Sequence, residues 1–150
     1  MKIVILAMDD PIYTNKFIKQ IIDAIGDDIV KFVYVSKGNR LTISKNKSLI
    51  IYLFSLLLIM GPYHFCLNSL KTIFHKIMKY LSKKIFFVPS PLVIDYAKSK
   101  GIDTIQITNP NNREFIDSIK KLNPDVIINQ SQSIIKKELL QVPKIGMINR

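Results

Sequence analysis

Runs of consecutive apolar, largely β-branched residues, each leading into a segment of helical period, restrict this chain to one architecture. Ile3-Val4-Ile5-Leu6-Ala7 has no polar alternation, which marks a strand covered on both faces in a parallel sheet. Asp10-Pro11 follows, with Asp10 suited to an N-cap and Pro11 to the first helical position. Ile12, Phe17, Ile18, Ile21, Ile22 and Ile25 then recur at helical spacing, and Gly26 supplies the stop. Ile29 to Val35 reads as a second strand. A β-α-β unit of this kind requires a right-handed crossover and a parallel sheet.

The far half repeats the grammar. Ser90-Pro91 predicts the start of a helix to Lys100 closed by Gly101, and Thr104 to Ile107 a short strand. Asn111, with Glu114 three residues later, predicts a capping box for a helix through Leu122. Val126 to Ile128 is the next strand, Ile134 to Leu140 a short helix, and Ile145 to Ile148 the last strand. The expectation is an α/β fold with an open doubly wound (Rossmann-like), mostly parallel sheet. It treats residues 1–150 as one domain with a helical insert at about 47–83.

That insert departs from the pattern. No charged residue lies between Lys47 and Lys71, and Leu49 to Met60 is apolar almost all round. Gly61-Pro62 interrupts it, because proline inside a helix costs about 3 kcal/mol or more, so two helical pieces are expected. The second, roughly Phe65 to Leu81, alternates Leu67, Leu70, Ile73, Phe74, Ile77 and Met78 with Lys71, Lys76 and Lys79, giving an amphipathic helix with a basic face. Three roles stay open: a core helix or oligomer contact, a basic hairpin on a membrane surface through 49–84, or a true span, for which about 20 apolar residues are needed.

Composition narrows the chemistry. A net charge of +11 favours phosphate-bearing or otherwise anionic partners without choosing among them. The single Cys66 excludes an internal disulfide, fits a reducing, cytoplasmic compartment and reads as a small buried hydrophobe. Asp9-Asp10-Pro11 ends the first apolar run without a small-residue cleavage site, so no secretory signal is expected there. A dinucleotide site needs glycines after the first strand, and Ala7 to Asp10 has none. No Walker A sequence occurs. His64 and His75 lack partners at metal-ligand spacing, so no metal site is expected. In a doubly wound sheet ligands bind outside the carboxyl ends of the strands, which selects Met8 to Asp10, Ser36 to Lys45, Asn129 to Ser133 and Asn149-Arg150.

One register carries more than architecture. Pro124-Asp125 precedes an apolar triplet, and Leu139-Leu140, Pro143, Gly146 and Asn149 follow at fixed spacing. This resembles the folate-dependent formyltransferases, whose pattern continues from the Asn to a His two residues on and to a later Asp. The resemblance is strong over Pro124 to Asn149, moderate over Lys98 to Leu122, and architectural before that. The expectation is therefore the N-terminal part of such an enzyme, incomplete at its C-terminal end and cut inside the Asn-x-His motif.

The resemblance implies N-formyl transfer from 10-formyltetrahydrofolate to an amine. It implies Asn149 as a catalytic donor to the formyl oxygen, and the segment Asn129, Gln130, Ser131, Gln132 and Ser133 as the cradle of the pterin ring. The simpler reading of that segment is a connection in which Ser133 caps the next helix. Relatives commonly carry a helical insert where this chain does, which favours the core-helix role. The insert and the loop depart from the tRNA enzyme, so an amino sugar or other small amine is expected in preference to initiator tRNA. The alternatives are a truncated, non-catalytic remnant, a membrane-surface α/β binding domain, and, more distantly, a nucleotide-sugar domain.

Overall fold

The computed structural model describes residues 1–10, 12, 14–36, 49–85 and 87–149. They fall into two compact units, Met1–Arg40 with Leu92–Arg150, and Leu41–Pro91.

The first unit is an α/β sheet domain. Its strands are β1 (Ile3–Ala7), β2 (Ile29–Val35), β3 (Thr104–Ile107), β4 (Val126–Gln130) and β5 (Gly146–Asn149). All four pairings are parallel, in the order β3-β2-β1-β4-β5. The helices of this unit are α1 (Thr14–Ile25), α3 (Val93–Ser99), α4 (Arg113–Leu122) and α5 (Lys137–Leu140). The order shows why the sheet is doubly wound. Two crossovers step outward from β1 to β2 to β3, and the next returns past β1 to β4. Right-handed crossovers running in opposite directions place their helices on opposite faces.

The core confirms that division. Ile3, Ile5, Ala7 and Phe32 pack with Ile18 and Ile22 of α1 and with Val93 and Ala97 of α3. Val4, Leu6, Val33 and Ile127 pack with Phe115 and Ile119 of α4 and with Leu139 of α5. β1 is buried at every residue, as its unbroken apolar run requires. Fully burying one such side chain contributes about 1.5–3 kcal/mol.

Pro124-Asp125 fastens the amino edge of the sheet. The Asp125 carboxylate accepts from the Lys2 amide at 2.7 Å and pairs with Lys144 at 3.3 Å. Its amide donates back to Lys2 O, and its carbonyl accepts from Ile145 N. One residue therefore ties the starts of β1, β4 and β5 together. Asn123 precedes it in the left-handed region at φ 50° and closes α4, a conformation that asparagine tolerates and most residues do not.

Several boundaries differ from the sequence reading. Asn111 is not the cap of α4: Asn112 is, its Oδ1 accepting from Glu114 N at 3.3 Å. Asn111 instead donates to Ile134 O at 2.7 Å and accepts from Lys136 N at 2.8 Å. That amide holds residues 134–136 out of helical geometry, so the helix expected from Ile134 is reduced to Lys137–Leu140. Its N-cap is Lys136, without a side-chain cap bond, and not Ser133. Likewise Leu92 precedes α3 without a side-chain bond, so Ser90-Pro91 does not cap it.

The second unit contains α2 (Leu49–Lys84), which is two helices joined at Gly61 (φ 74°, ψ 159°). The break predicted from Gly61-Pro62 is present, with Pro62 opening the second arm, where a missing N–H costs nothing. Many of its apolar side chains are exposed: Leu58 is 69% exposed, Ile59 81% and Phe74 64%. Cys66 is exposed as well, because it lies on this helix and not in the core. The helix is long and apolar enough by composition to cross a membrane.

Candidate functional site at the carboxyl edge of the sheet

The switch point of this sheet lies between β1 and β4, where the connections diverge, and in doubly wound sheets ligands bind at the carboxyl ends of the strands there. On the β1 side, Asn15 closes the loop. Only 8% exposed, it donates from Nδ2 to Asp9 at 2.8 Å and accepts from Asp10 N at 3.0 Å. Asp10 in turn accepts from Ile12 N at 2.9 Å, an Asx turn into α1. Asp10 thus shapes the entry to a helix that starts at Thr14, three residues later than the Pro11 start expected from the sequence, and is not its N-cap. Beside this loop, burial first and then the carboxylates of Asp9 and Asp95 push the Tyr34 phenol above its ordinary 10.0.

On the β4 side, residues read as a single loop divide between a strand and the turn after it. Asn129 and Gln130 belong to β4, and Asn149 is the last residue of β5 rather than part of a loop. Parallel register sets Asn129 beside Leu6 on one side and Asn149 on the other. Asn129 is 1% exposed and fully engaged. Its Oδ1 accepts from Ser131 N at 3.1 Å and from Ser131 Oγ at 2.7 Å, and its Nδ2 donates to Asn149 Oδ1 at 2.9 Å.

The chain of bonds fixes which way Asn149 faces. A backbone N–H can only donate, so the Asn129 atom against Ser131 is its oxygen, and the atom against Asn149 is its NH₂. Asn149 must then accept with its own oxygen. Its NH₂ is left to serve as a donor at the exposed end of β5. Asn129, expected to touch a ligand directly, is instead the buried support of Asn149.

Of the other expected cradle residues, Ser131 is buried, Gln132 exposed, and Gln130 and Ser133 half-buried. Ser133 Oγ is buried with no hydrogen-bond partner, an unmet polar atom in a turn at the binding edge. Most of the Ser36–Lys45 segment, and Arg150, lie outside the described residues. Ser36 donates to Ile107 O at 3.0 Å. It lines a cavity of about 270 Å³ at the ends of β2 and β3 with Gln106, Thr108, Asn109 and Asn112. A larger cavity of about 360 Å³, beside Asp23, Asp27 and Asp28, lies at the opposite edge of the sheet and away from the switch point. His64 and His75 lie on α2.

Asn15 and Asn129 were missed as organising residues. Each interrupts an apolar pattern, α1's buried stripe in one case and the Val126-to-Ile128 run in the other, and that interruption was the available signal.

An all-parallel α/β sheet with amide and hydroxyl groups gathered at its switch point defines a domain of the doubly wound class. The comparisons with known proteins specify it further. No protein-family model matches the chain. The methionyl-tRNA formyltransferase of Clostridioides difficile is 43% identical over 58 residues, 38% of this chain and 19% of that protein. That of Caldicellulosiruptor saccharolyticus is 36% identical over 73 residues, 47% and 23% respectively. That of Caldanaerobacter subterraneus is 32% identical over 104 residues, 60% of this chain and 33% of that protein. Over the matched segments the chain is thus similar to parts of four methionyl-tRNA formyltransferases. The chain spans between a fifth and a third of their length. All carry the tRNA enzyme's name, so the expected preference for an amino sugar finds no support among them.

Proposed function

We propose that this chain forms the donor-side part of a cytoplasmic N-formyltransferase, with 10-formyltetrahydrofolate as the formyl source and an amine as acceptor. The observation that carries the reading is the outward-facing NH₂ of Asn149, locked by Asn129. The folate supplies a formyl group whose oxygen gathers negative charge as an amine nitrogen adds to its carbon. Asn149 donates a hydrogen bond to that oxygen from a preset direction, so little reorganisation is needed at the moment of reaction. The turn after β4 suits a flat pterin: Ser133 Oγ lacks a partner, and Gln130, Ser131 and Gln132 add donors and acceptors nearby, with Asn129 supporting the turn from within.

For the acceptor, the relatives' name and the net charge of +11 favour an amine carried on a polyanion, as in methionyl-tRNA. The departure of the 129–133 segment from the tRNA enzyme's loop is what favours an amino sugar as the second reading.

The test is calorimetry of the 150-residue chain and of the full-length product of its reading frame against a non-hydrolysable 10-formylfolate analogue. It is followed by turnover assays with methionyl-tRNA and with a nucleotide-linked amino sugar. Asn149→Ala should lower kcat by about 10²–10³ while leaving analogue binding nearly intact. Absence of analogue binding by the full-length protein refutes the reading.

A further inference from the structure

The apolar exposure of α2 plays no part in formyl transfer and needs its own explanation. A dozen large apolar side chains between Ile51 and Tyr80 are exposed, whereas a soluble monomer rarely shows an apolar patch beyond a few hundred Å². Their arrangement is not random. On the second arm, Tyr63, Leu67, Leu70, Phe74, Ile77 and Leu81 recur three or four residues apart and form one stripe. Lys71, Lys76, Lys79 and Lys83 lie off it. The first arm carries no charge at all, and its Ser55 Oγ is spent on Ile51 O at 2.8 Å. No Asp or Glu occurs between Leu49 and Ile85.

We infer that α2 docks on the surface of an anionic lipid bilayer. The second arm lies along the interface, its stripe toward the acyl chains and its lysines among the headgroups. The first arm dips into the hydrocarbon. At 12 residues it reaches about 18 Å against a core of about 30 Å, so it enters one leaflet without crossing. The break at Gly61 (φ 74°) lets the arms take different angles to the surface. Charge selects this occupant over a second copy of the chain. Two such helices would bring together lysines with no carboxylate on either to answer them, whereas an anionic leaflet supplies the missing negative charge.

The test is flotation of the 150-residue chain with vesicles of phosphatidylcholine alone or with about a third phosphatidylglycerol, at low and high salt. The chain should float with the anionic vesicles at low salt, far less with the neutral ones, and leave both under alkaline carbonate. Each lysine near the surface is worth about fivefold in affinity, so Lys71→Gln with Lys76→Gln should weaken binding on the order of 30-fold. Phe74→Asp should abolish it, and both variants should keep the wild-type far-UV circular dichroism because these side chains are exposed. Failure to float at low salt overturns the inference. So does equal binding to neutral vesicles unaffected by the lysine changes, resistance to carbonate, which would show a true span, or a stable dimer that Phe74→Asp dissociates in the absence of lipid.

Discussion

Replacing Asn129 by alanine removes three hydrogen bonds from a residue that is 1% exposed. Ser131 N–H and Ser131 Oγ both lose their acceptor inside the protein, and Asn149 Oδ1 loses its donor at the rim. At about 1 kcal/mol for each bond, the loss comes to about 3 kcal/mol. Asn149→Ala breaks only the last of these bonds, at an exposed position, and should cost about 1 kcal/mol. The double variant should recover the shared term, giving a coupling energy of about 1 kcal/mol. Urea unfolding of the four proteins, followed by circular dichroism, measures all three quantities. A third substitution separates orientation from stability. Asn129→Asp keeps an acceptor for Ser131 but sets an oxygen against Asn149 Oδ1, so Asn149 must rotate and present its NH₂ inward. On the proposed function, this variant of the full-length protein should lose most of the rate that Asn149→Ala loses, although Asn149 is still there. Equal costs for the two alanine variants, a coupling energy below about 0.5 kcal/mol, or full activity in Asn129→Asp would refute the positioning argument.

Other consequences are simpler. The Lys2 amide, and with it the Lys144 ammonium, holds the Asp125 carboxyl below its ordinary 3.8. A depressed pKa contributes stability above the unfolded value that is lost as pH falls through the folded one, so Asp125→Asn should flatten the acid limb of the stability profile below pH 3.8. An unchanged acid limb would count against the clamp. The Tyr96 hydroxyl donates to Asp23 at 2.6 Å, and that bond raises its pKa above 10.0. With no tryptophan and six tyrosines in the chain, phenolate absorption should show a late-titrating group that returns toward 10.0 in Asp23→Asn. Gly61 occupies a backbone region closed to other residues, and a Cβ there would meet no neighbouring atom. Gly61→Ala should therefore cost about 1–3 kcal/mol from backbone strain alone. Because Pro62 bars helical geometry at residue 61, it should also shift the distance between spin labels at Ser55→Cys and Ser69→Cys in a Cys66→Ser background. An unchanged distance would refute this account.

The sequence by itself determined the elements and the sheet they form. Ile3–Ala7, Ile29–Val35 and Thr104–Ile107 are strands at the boundaries read from the sequence, and in β1 the cause is plain, since a strand covered on both faces leaves no choice of side chain. Gly61-Pro62 likewise announced its break, since both residues act on the backbone locally. The Pro124-to-Asn149 register was legible as a family pattern, but the work of its parts was not. Only the tertiary structure decided that Asp125 clamps the amino edge, that Asn111 holds residues 134–136 extended, and that Asn129 turns inward to aim Asn149. Each of these is a bond between residues 20 or more positions apart. A polar side chain's partner depends on strand order and register, which no local pattern encodes. Apolar periodicity along α2 likewise states that a face will be covered, but not by what.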